Sequence, residues 1–290
     1  PLASVFTSVA FDHMHILGNT LAEIATDKAG IIKKGCPVIS NVDDHSAAAV
    51  IARRTYDMGS RLYDVSKIRC TVDWVTPEAQ QVSCELWQTD YSEVITTMIG
   101  RHQAENLKTA LATIEVLRKN RDIQIERSRL YAGLKEAVQP GRFEVMKLGW
   151  GVGEQPEASE TGPAVCGETG SVAGGEADRN DGCYVVLDGA HNDAGAEAIA
   201  KTMADVFPDK KTLIVAGMVE KKETDKVLMH FADIGTDYIA TQPDYEERAM
   251  SAETFAGYIA EVSERTGKEM KVIEVCGSPA KAVESARRIV

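Results

Sequence analysis

The residues most able to do chemistry fall in a few short segments. The sharpest is Val185-Val186-Leu187-Asp188-Gly189-Ala190-His191-Asn192. A β-rich run ends there in an aspartate whose carboxylate can accept hydrogen bonds from a ribose. Gly189 permits tight backbone approach, and His191 and Asn192 stand just before a helix. In open parallel sheets, ligands sit beyond the carboxyl ends of strands, where helix N-termini offer N–H groups and a positive dipole. The competing reading is structural, with Asn192 or Asp193 serving only as an N-cap. Asp12-His13-x-His15 holds groups competent to ligate a metal, although such histidines more often serve as polar loop residues. Lys28 lies at i+7 from Leu21, on the face that carries Ile24 and Ala25. A cation there either does chemistry or snorkels while favouring the helix dipole. Gly100-Arg101-His102-Gln103-x-x-Asn106 opens a helix and sets Gln103 and Asn106 one turn apart on one face. Arg142, after Pro140-Gly141, is an always-charged fork suited to phosphate, or else an ordinary surface arginine. His45 and His230 are assigned no role.

These segments need elements to hold them. In the first half the pattern predicts a strand over 4–10 and a helix over 21–29. Thr20 and Glu23 form a capping box for that helix, and Gly30 terminates it. A strand near 37–40 and a helix near 45–58 follow, then β-rich runs around 68–75, 81–88 and 93–99. Helices over about 103–119 and 126–137 complete this half, and 143–148 reads as a strand. The second half is regular: strands at 183–187, 211–216, 237–240 and 271–275 alternate with helices at 193–206, 222–233, 251–265 and 279–289. Alternation of this kind indicates a parallel sheet with helices on its faces. Between the halves, residues 149–182 hold nine of the 23 glycines, seven acids and one base, Arg179. So little apolar surface cannot offset ordering entropy, so the segment is expected to be a disordered loop. Its Gly151-x-Gly153 lacks the third glycine and following helix of a dinucleotide fingerprint. Gly167–Gly175 lacks the Gly-Lys-Ser/Thr of a P-loop.

Composition narrows the function classes. Lys+Arg 32 against Asp+Glu 44 leaves a net charge of −12, which repels nucleic acid and acidic membrane surfaces at long range. Hydrophobic residues at 44% and charged residues at 26% are ordinary globular usage. With no apolar run near the ~18–20 residues of a membrane span and no basic, apolar leader, a soluble cytoplasmic protein is expected. The six cysteines include no C-x-x-C pair, which argues against a zinc site or a dense disulfide framework. Cys36, Cys84 and Cys276, among apolar neighbours, read as small buried thiols.

Taken in order, the segments resemble the folylpolyglutamate synthase/dihydrofolate synthase family of the Mur ligase superfamily. The resemblance rests on SVFTSVAFDHMHILGNTLAEIATDKAGIIKKGCPVI (4–39), GRHQAEN (100–106), PGRFE (140–144) and VVLDGAHN (185–192). VAGMVEKKETDKVL (215–228) and RAMSAETF (248–255) match more weakly. It implies an α/β chain in which 1–138 form the later part of a central ATPase domain. Residues 139–290 would form a Rossmann-like C-terminal domain with a mostly parallel sheet. It further implies that His13 ligates magnesium, that Lys28 is carbamylated and that Asn106, Arg142 and Asp188 contact ATP. His191 would lie near the phosphates. The implied reaction is ATP-dependent addition of L-glutamate to a reduced folate through an acyl phosphate, with glutamate addition to dihydropteroate as a further activity. Reduced folate or dihydropteroate, L-glutamate and ATP are then the partners of an expected monomer, with no nucleic acid and no membrane. The family's P-loop and upstream metal-binding glutamate do not occur in these residues, nor does a final strand–helix segment. The chain therefore reads as a member truncated at both ends, expected to be inactive alone. The rival readings are a non-catalytic remnant or binding module, and another Mur-type amide ligase.

Overall fold

The computed structural model describes residues 1–11, 18–121, 123–148, 183–220, 223–245 and 248–290. His13 and the 149–182 segment lie outside the described residues. In the first half, β1 (Ser4–Phe6), β2 (Val38–Ser40) and β3 (Leu62–Asp64) form a parallel sheet in the order β1-β2-β3. The crossovers are α1 (Leu21–Lys28) and α2 (His45–Asp57). Their inner faces, with Ala25, Ala47 and Ile51, close over Phe6 and Val38. An antiparallel sheet follows, with β4 (Cys70–Val75), β5 (Gln80–Leu86) and β6 (Thr89–Thr96) in that order. The long helix α3 (Arg101–Arg121) lays Ala104, Leu107 and Leu111 against its Val82 and Val94, and α4 (Arg127–Lys135) adds Leu130.

In the second half, β7 (Glu144–Leu148) pairs antiparallel with β8 (Cys183–Leu187), and α5 (Asp193–Val206) follows β8. The strands β9 (Leu213–Ala216), β10 (Asp237–Thr241) and β11 (Lys271–Cys276) form a parallel sheet in the order β11-β10-β9. Its helices are α6 (Thr224–Phe231), α7 (Ala252–Thr266) and α8 (Pro279–Ile289). Val227, Leu228, Tyr238, Phe255 and Ile259 make that core. Among the described residues no helix is long and apolar enough to cross a membrane.

The strand β3 carried no sequence signal strong enough to name it, because three half-exposed residues beside a turn show no clear alternation. Gly30 does not end α1. The chain instead tightens into a 3-10 turn over Ala29–Ile31, and the cap at Ala29 stays right-handed. The strand β8 runs antiparallel to β7 rather than within the parallel set, because Glu144–Leu148 returns along it in register from Glu144/Leu187 to Leu148/Cys183. Cys84 is buried but is not a free thiol: the β4–β5 register sets it opposite Cys70, with Cα atoms 4.4 Å apart, and the two are bonded. Cys36 is half-buried, while Cys276 is buried as expected.

One small cluster matters most for the site. Ile99, Phe143, Met203 and Phe207 pack together, with Val145, Tyr184 and Val186 against them. Ile99 precedes the start of α3, Phe143 follows Arg142, and Met203 lies on the helix that begins after Asn192. Burying these four apolar side chains in one place brings three distant polar segments together. At about 25 cal/mol per Å² of apolar surface, each large side chain contributes on the order of 1.5–3 kcal/mol to holding that junction.

Candidate active site

Asp188 is the centre of the junction. Its Oδ2 accepts the backbone N–H of Phe143 at 2.8 Å, and its Oδ1 accepts that of Ala190 at 2.7 Å. The Gly189 N–H donates to the Gly141 carbonyl at 2.9 Å. The end of β8 is therefore clasped to the turn that carries Arg142. This clasp holds Phe143, whose φ of 47° is a costly conformation for a bulky side chain, with its ring buried. An ionised carboxylate has about four acceptor sites, so two backbone donors leave capacity for a ribose hydroxyl.

The Arg142 guanidinium lies over Gly189, in the turn that follows β8. A Cβ at Gly189 would fall 2.8 Å from Arg142 Nη1, so only glycine leaves that guanidinium its place. Asn192 caps α5 by accepting the Gly195 N–H at 2.9 Å, as the structural reading expected. Capping and a functional role for Asp188 are compatible, because they use different residues of the turn. His191 is exposed, and its Nδ1 lies 2.9 Å from the Gly189 carbonyl oxygen. Asp193 adds a negative charge at the positive end of α5. Its carboxylate faces α6, with His230 Nε2 at 3.0 Å and Lys226 Nζ at 4.0 Å, which draws that charge away from the turn.

The third side of the junction is the start of α3. Gly100, at φ 115°, admits no side chain: a Cβ would meet the His102 imidazole and Thr202 Oγ1 of α5, each at 2.7 Å. The buried Gln80 side chain fixes the same turn, donating to the Gly100 carbonyl and accepting the Gly100 N–H, each at 3.1 Å. Arg101 grips Asp205 of α5 through Nε at 2.8 Å and Nη2 at 3.0 Å. His102, the next residue, is near enough to Asp188 and Arg142 to feel both charges. Burial lowers its pKa, the Asp188 charge opposes that shift, and Arg142 reinforces it. Asn106 donates to Gln103 Oε1 at 3.0 Å, which bears out their placement on one face. His102 is the site residue that sequence reasoning missed. It stands in the GRHQAEN segment, but only the fold brings it within range of charges from the other half.

The structure thus brings Asp188, Arg142 and His102 together, with His191 on the same turn as Asp188 and Asn106 one turn along α3 from His102. Lys28 departs from the expectation of an inward cation. Ile24 and Ala25 are buried, yet Lys28 is exposed at the last residue of α1, where Ala29 of the following turn takes the inward place.

Comparison with known proteins accords with this geometry. Residues 1–114 match the Mur ligase middle domain, and residues 176–290 match the Mur ligase glutamate ligase domain. The dihydrofolate synthase/folylpolyglutamate synthase of Bacillus subtilis is 31% identical over 246 residues, covering 80% of this chain and 49% of that protein. The folylpolyglutamate synthase of Lacticaseibacillus casei is 27% identical over 229 residues, covering 77% and 44%. The structure of Mycobacterium tuberculosis folylpolyglutamate synthase complexed with ADP superposes with a TM-score of 0.73 at 22% identity, over 99% of this chain and 56% of that one. This chain thus spans about half the length of the relatives it matches. Both Mur ligase domains in order, with these relatives and this fold, make the chain a member of the folylpolyglutamate synthase/dihydrofolate synthase family.

Proposed function

We propose that this chain carries the nucleotide-facing part of an ATP-dependent ligase that adds L-glutamate to a reduced folate. The observation that carries the reading is the clasp in which Asp188 binds the Phe143 N–H and Gly189 seats the Arg142 guanidinium. It puts a fixed cation and a hydrogen-bond acceptor at the N-terminal end of α5, the arrangement that suits a nucleotide's phosphates and ribose. Support comes from the ADP bound to the Mycobacterium tuberculosis neighbour. In the proposed reaction a folate carboxylate oxygen attacks the γ-phosphorus of ATP and ADP leaves. The amino group of glutamate then attacks the acyl carbon, phosphate leaves, and the nitrogen loses a proton. Arg142 offsets charge on the phosphates, Asn106 and Asp188 hold the nucleotide, and His191 lies close to the phosphates.

Magnesium accompanies such chemistry. Among the described residues no group of three or more His, Cys, Asp or Glu could hold a metal ion, and His13 lies outside them. His13 is proposed as a magnesium ligand on the family resemblance. Lys28 is likewise proposed to react as its carbamate, a cation turned into a carboxylate-like group. Carbon-13 NMR in labelled bicarbonate tests this, and absence of a carbamate resonance that Lys28→Ala abolishes would overturn it.

The nucleotide reading is tested by calorimetric titration of ADP into the 290-residue chain. We expect saturable binding that Arg142→Ala weakens by roughly tenfold or more, the loss of one charged hydrogen bond. Binding that is absent, or unaffected by Arg142→Ala, would overturn it. The ligation itself is tested with tetrahydrofolate, labelled glutamate and ATP on a chain extended to the length of its relatives. Failure to incorporate label would refute the activity.

A further inference from the structure

A cleft of about 770 Å³ opens on the helix-packed side of the antiparallel sheet, between the β5–β6 turn and the C-terminal part of α3. It is far from Asp188. Glu115 on its wall is 13 residues along α3 from His102, about 20 Å at 1.5 Å per residue.

Its walls are aromatic and cationic. Tyr63 and Trp87 meet edge to face with centroids 5.8 Å apart, and Arg61 lies over the Tyr63 ring at 4.9 Å. Arg127 lies 5.8 Å from the Tyr91 centroid and 5.1 Å from that of Tyr131. Arg61, Arg118, Lys119 and Arg127 face one carboxylate, Glu115, a balance of four minus one or +3. Glu115 is engaged by Arg118 at 3.0 Å and by the Tyr91 hydroxyl, so its charge is directed into the wall. In a chain of net charge −12, this is a local positive site inside a repelling field.

Trp87 adds an independent sign. It is the first of two residues joining Leu86 to its register partner Thr89, with φ at 53°. That position of a two-residue hairpin favours glycine, and a bulky side chain there costs about 1 kcal/mol or more. The indole it carries is not buried to offset this: Trp87 is 46% exposed at the cleft mouth. Local rules broken at exposed aromatic positions point to binding.

We propose that this cleft binds a small molecule combining a planar heteroaromatic ring with an anionic tail. The ring stacks on Trp87 and Tyr63, and the tail is met by Arg61, Lys119 and Arg127. A nucleoside triphosphate and a pteroyl oligoglutamate share that chemistry.

The test is calorimetric titration of ATP and, separately, of pteroyltriglutamate into the 290-residue chain and its variants. Trp87→Gly relieves the strained turn, so it keeps or raises the unfolding midpoint and cannot fail merely by unfolding. We expect at least one probe to bind with an affinity that Trp87→Gly and Arg61→Ala each weaken about tenfold or more, the worth of one stacking or cation–π contact with charge. The same binding stays unchanged in Arg142→Ala. A response confined to ATP identifies the nucleotide as the source, and one confined to pteroyltriglutamate identifies the folate. If neither probe binds, or if all binding is insensitive to Trp87→Gly, the proposal is wrong. ATP binding lost only in Arg142→Ala belongs to the Asp188 junction and, with no pteroyltriglutamate binding, also overturns the cleft.

Discussion

Replacing Gly189 with alanine separates the nucleotide site from the fold that builds it. The added Cβ would lie 2.8 Å from Arg142 Nη1 and 3.8 Å from its Cζ, but 3.6 Å from the Gly141 carbonyl oxygen. Contact with the backbone is thus ordinary, and the guanidinium, the movable end of a long side chain, must give way. The backbone at Gly189 lies outside the left-handed region, so alanine adopts it without strain. Alanine also keeps the N–H that donates to Gly141. Restricting the unfolded chain favours the variant by about 0.4–1 kcal/mol, so the unfolding midpoint should hold or rise. Nucleotide affinity should instead fall, because Arg142 loses its seat. One hydrogen bond between charged groups is worth about 1.5–3 kcal/mol, or roughly 10- to 150-fold in Kd. Titration calorimetry with ADP measures the loss, and scanning fluorimetry measures stability. In a double-mutant cycle the loss should vanish in the Arg142→Ala background, since both changes remove one contact. Wild-type affinity in Gly189→Ala, or an undiminished loss without Arg142, would refute the role given to this glycine.

Asp188→Ala strands the N–H groups of Phe143 and Ala190, and should cost about 2–4 kcal/mol in urea unfolding. Asp188→Asn, which keeps one acceptor, should lose less; an Asp188→Ala variant as stable as wild type would show that the clasp does not matter. Lys108 is 1% exposed and pairs with Glu105 at 2.6 Å while donating to the Ile68 carbonyl at 3.1 Å. Because Glu105 is half exposed and can rehydrate, Lys108→Met should cost only about 1–3 kcal/mol, and Lys108→Ala more because it also leaves a cavity. Both are read from denaturant midpoints, and a Lys108→Met variant as stable as wild type would show that the pair contributes nothing. Burial holds the His102 pKa below its ordinary value of 6.5. The unfolded chain then takes up a proton that the folded chain resists, so stability should fall as pH drops through about 6.5 and level off below the folded value. Urea midpoints across that range measure it, and His102→Gln should flatten the slope.

Much of the local structure was legible because its causes lie within a few residues. The Thr20/Glu23 capping box forms as expected, with Glu23 accepting the Thr20 N–H at 3.0 Å and Thr20 accepting the Glu23 N–H at 3.2 Å. The spans 183–187, 193–206 and 279–289 coincide with β8, α5 and α8, where apolar periodicity is bounded by clear caps. The Gln103–Asn106 pair follows from helical spacing alone. What stayed hidden depends on partners far along the chain. The antiparallel β7–β8 pairing, the opposition of Cys70 and Cys84, and the inward turn of Ala29 in place of Lys28 have no short-range signature.

The sequence by itself determined the alternation of elements, their caps and the motifs that identify the family. Each rests on hydrogen bonds and side-chain periodicity spanning a turn or two. Only the tertiary structure decided that Asp188 clasps the Arg142 turn, that His102 comes within range of both charges, and that Trp87 and Arg61 frame a cationic cleft. Those meetings close loops of tens of residues, at an entropic cost that no local propensity can offset. The buried cluster of Ile99, Phe143, Met203 and Phe207 offsets it, and so sets where the polar side chains between them come together.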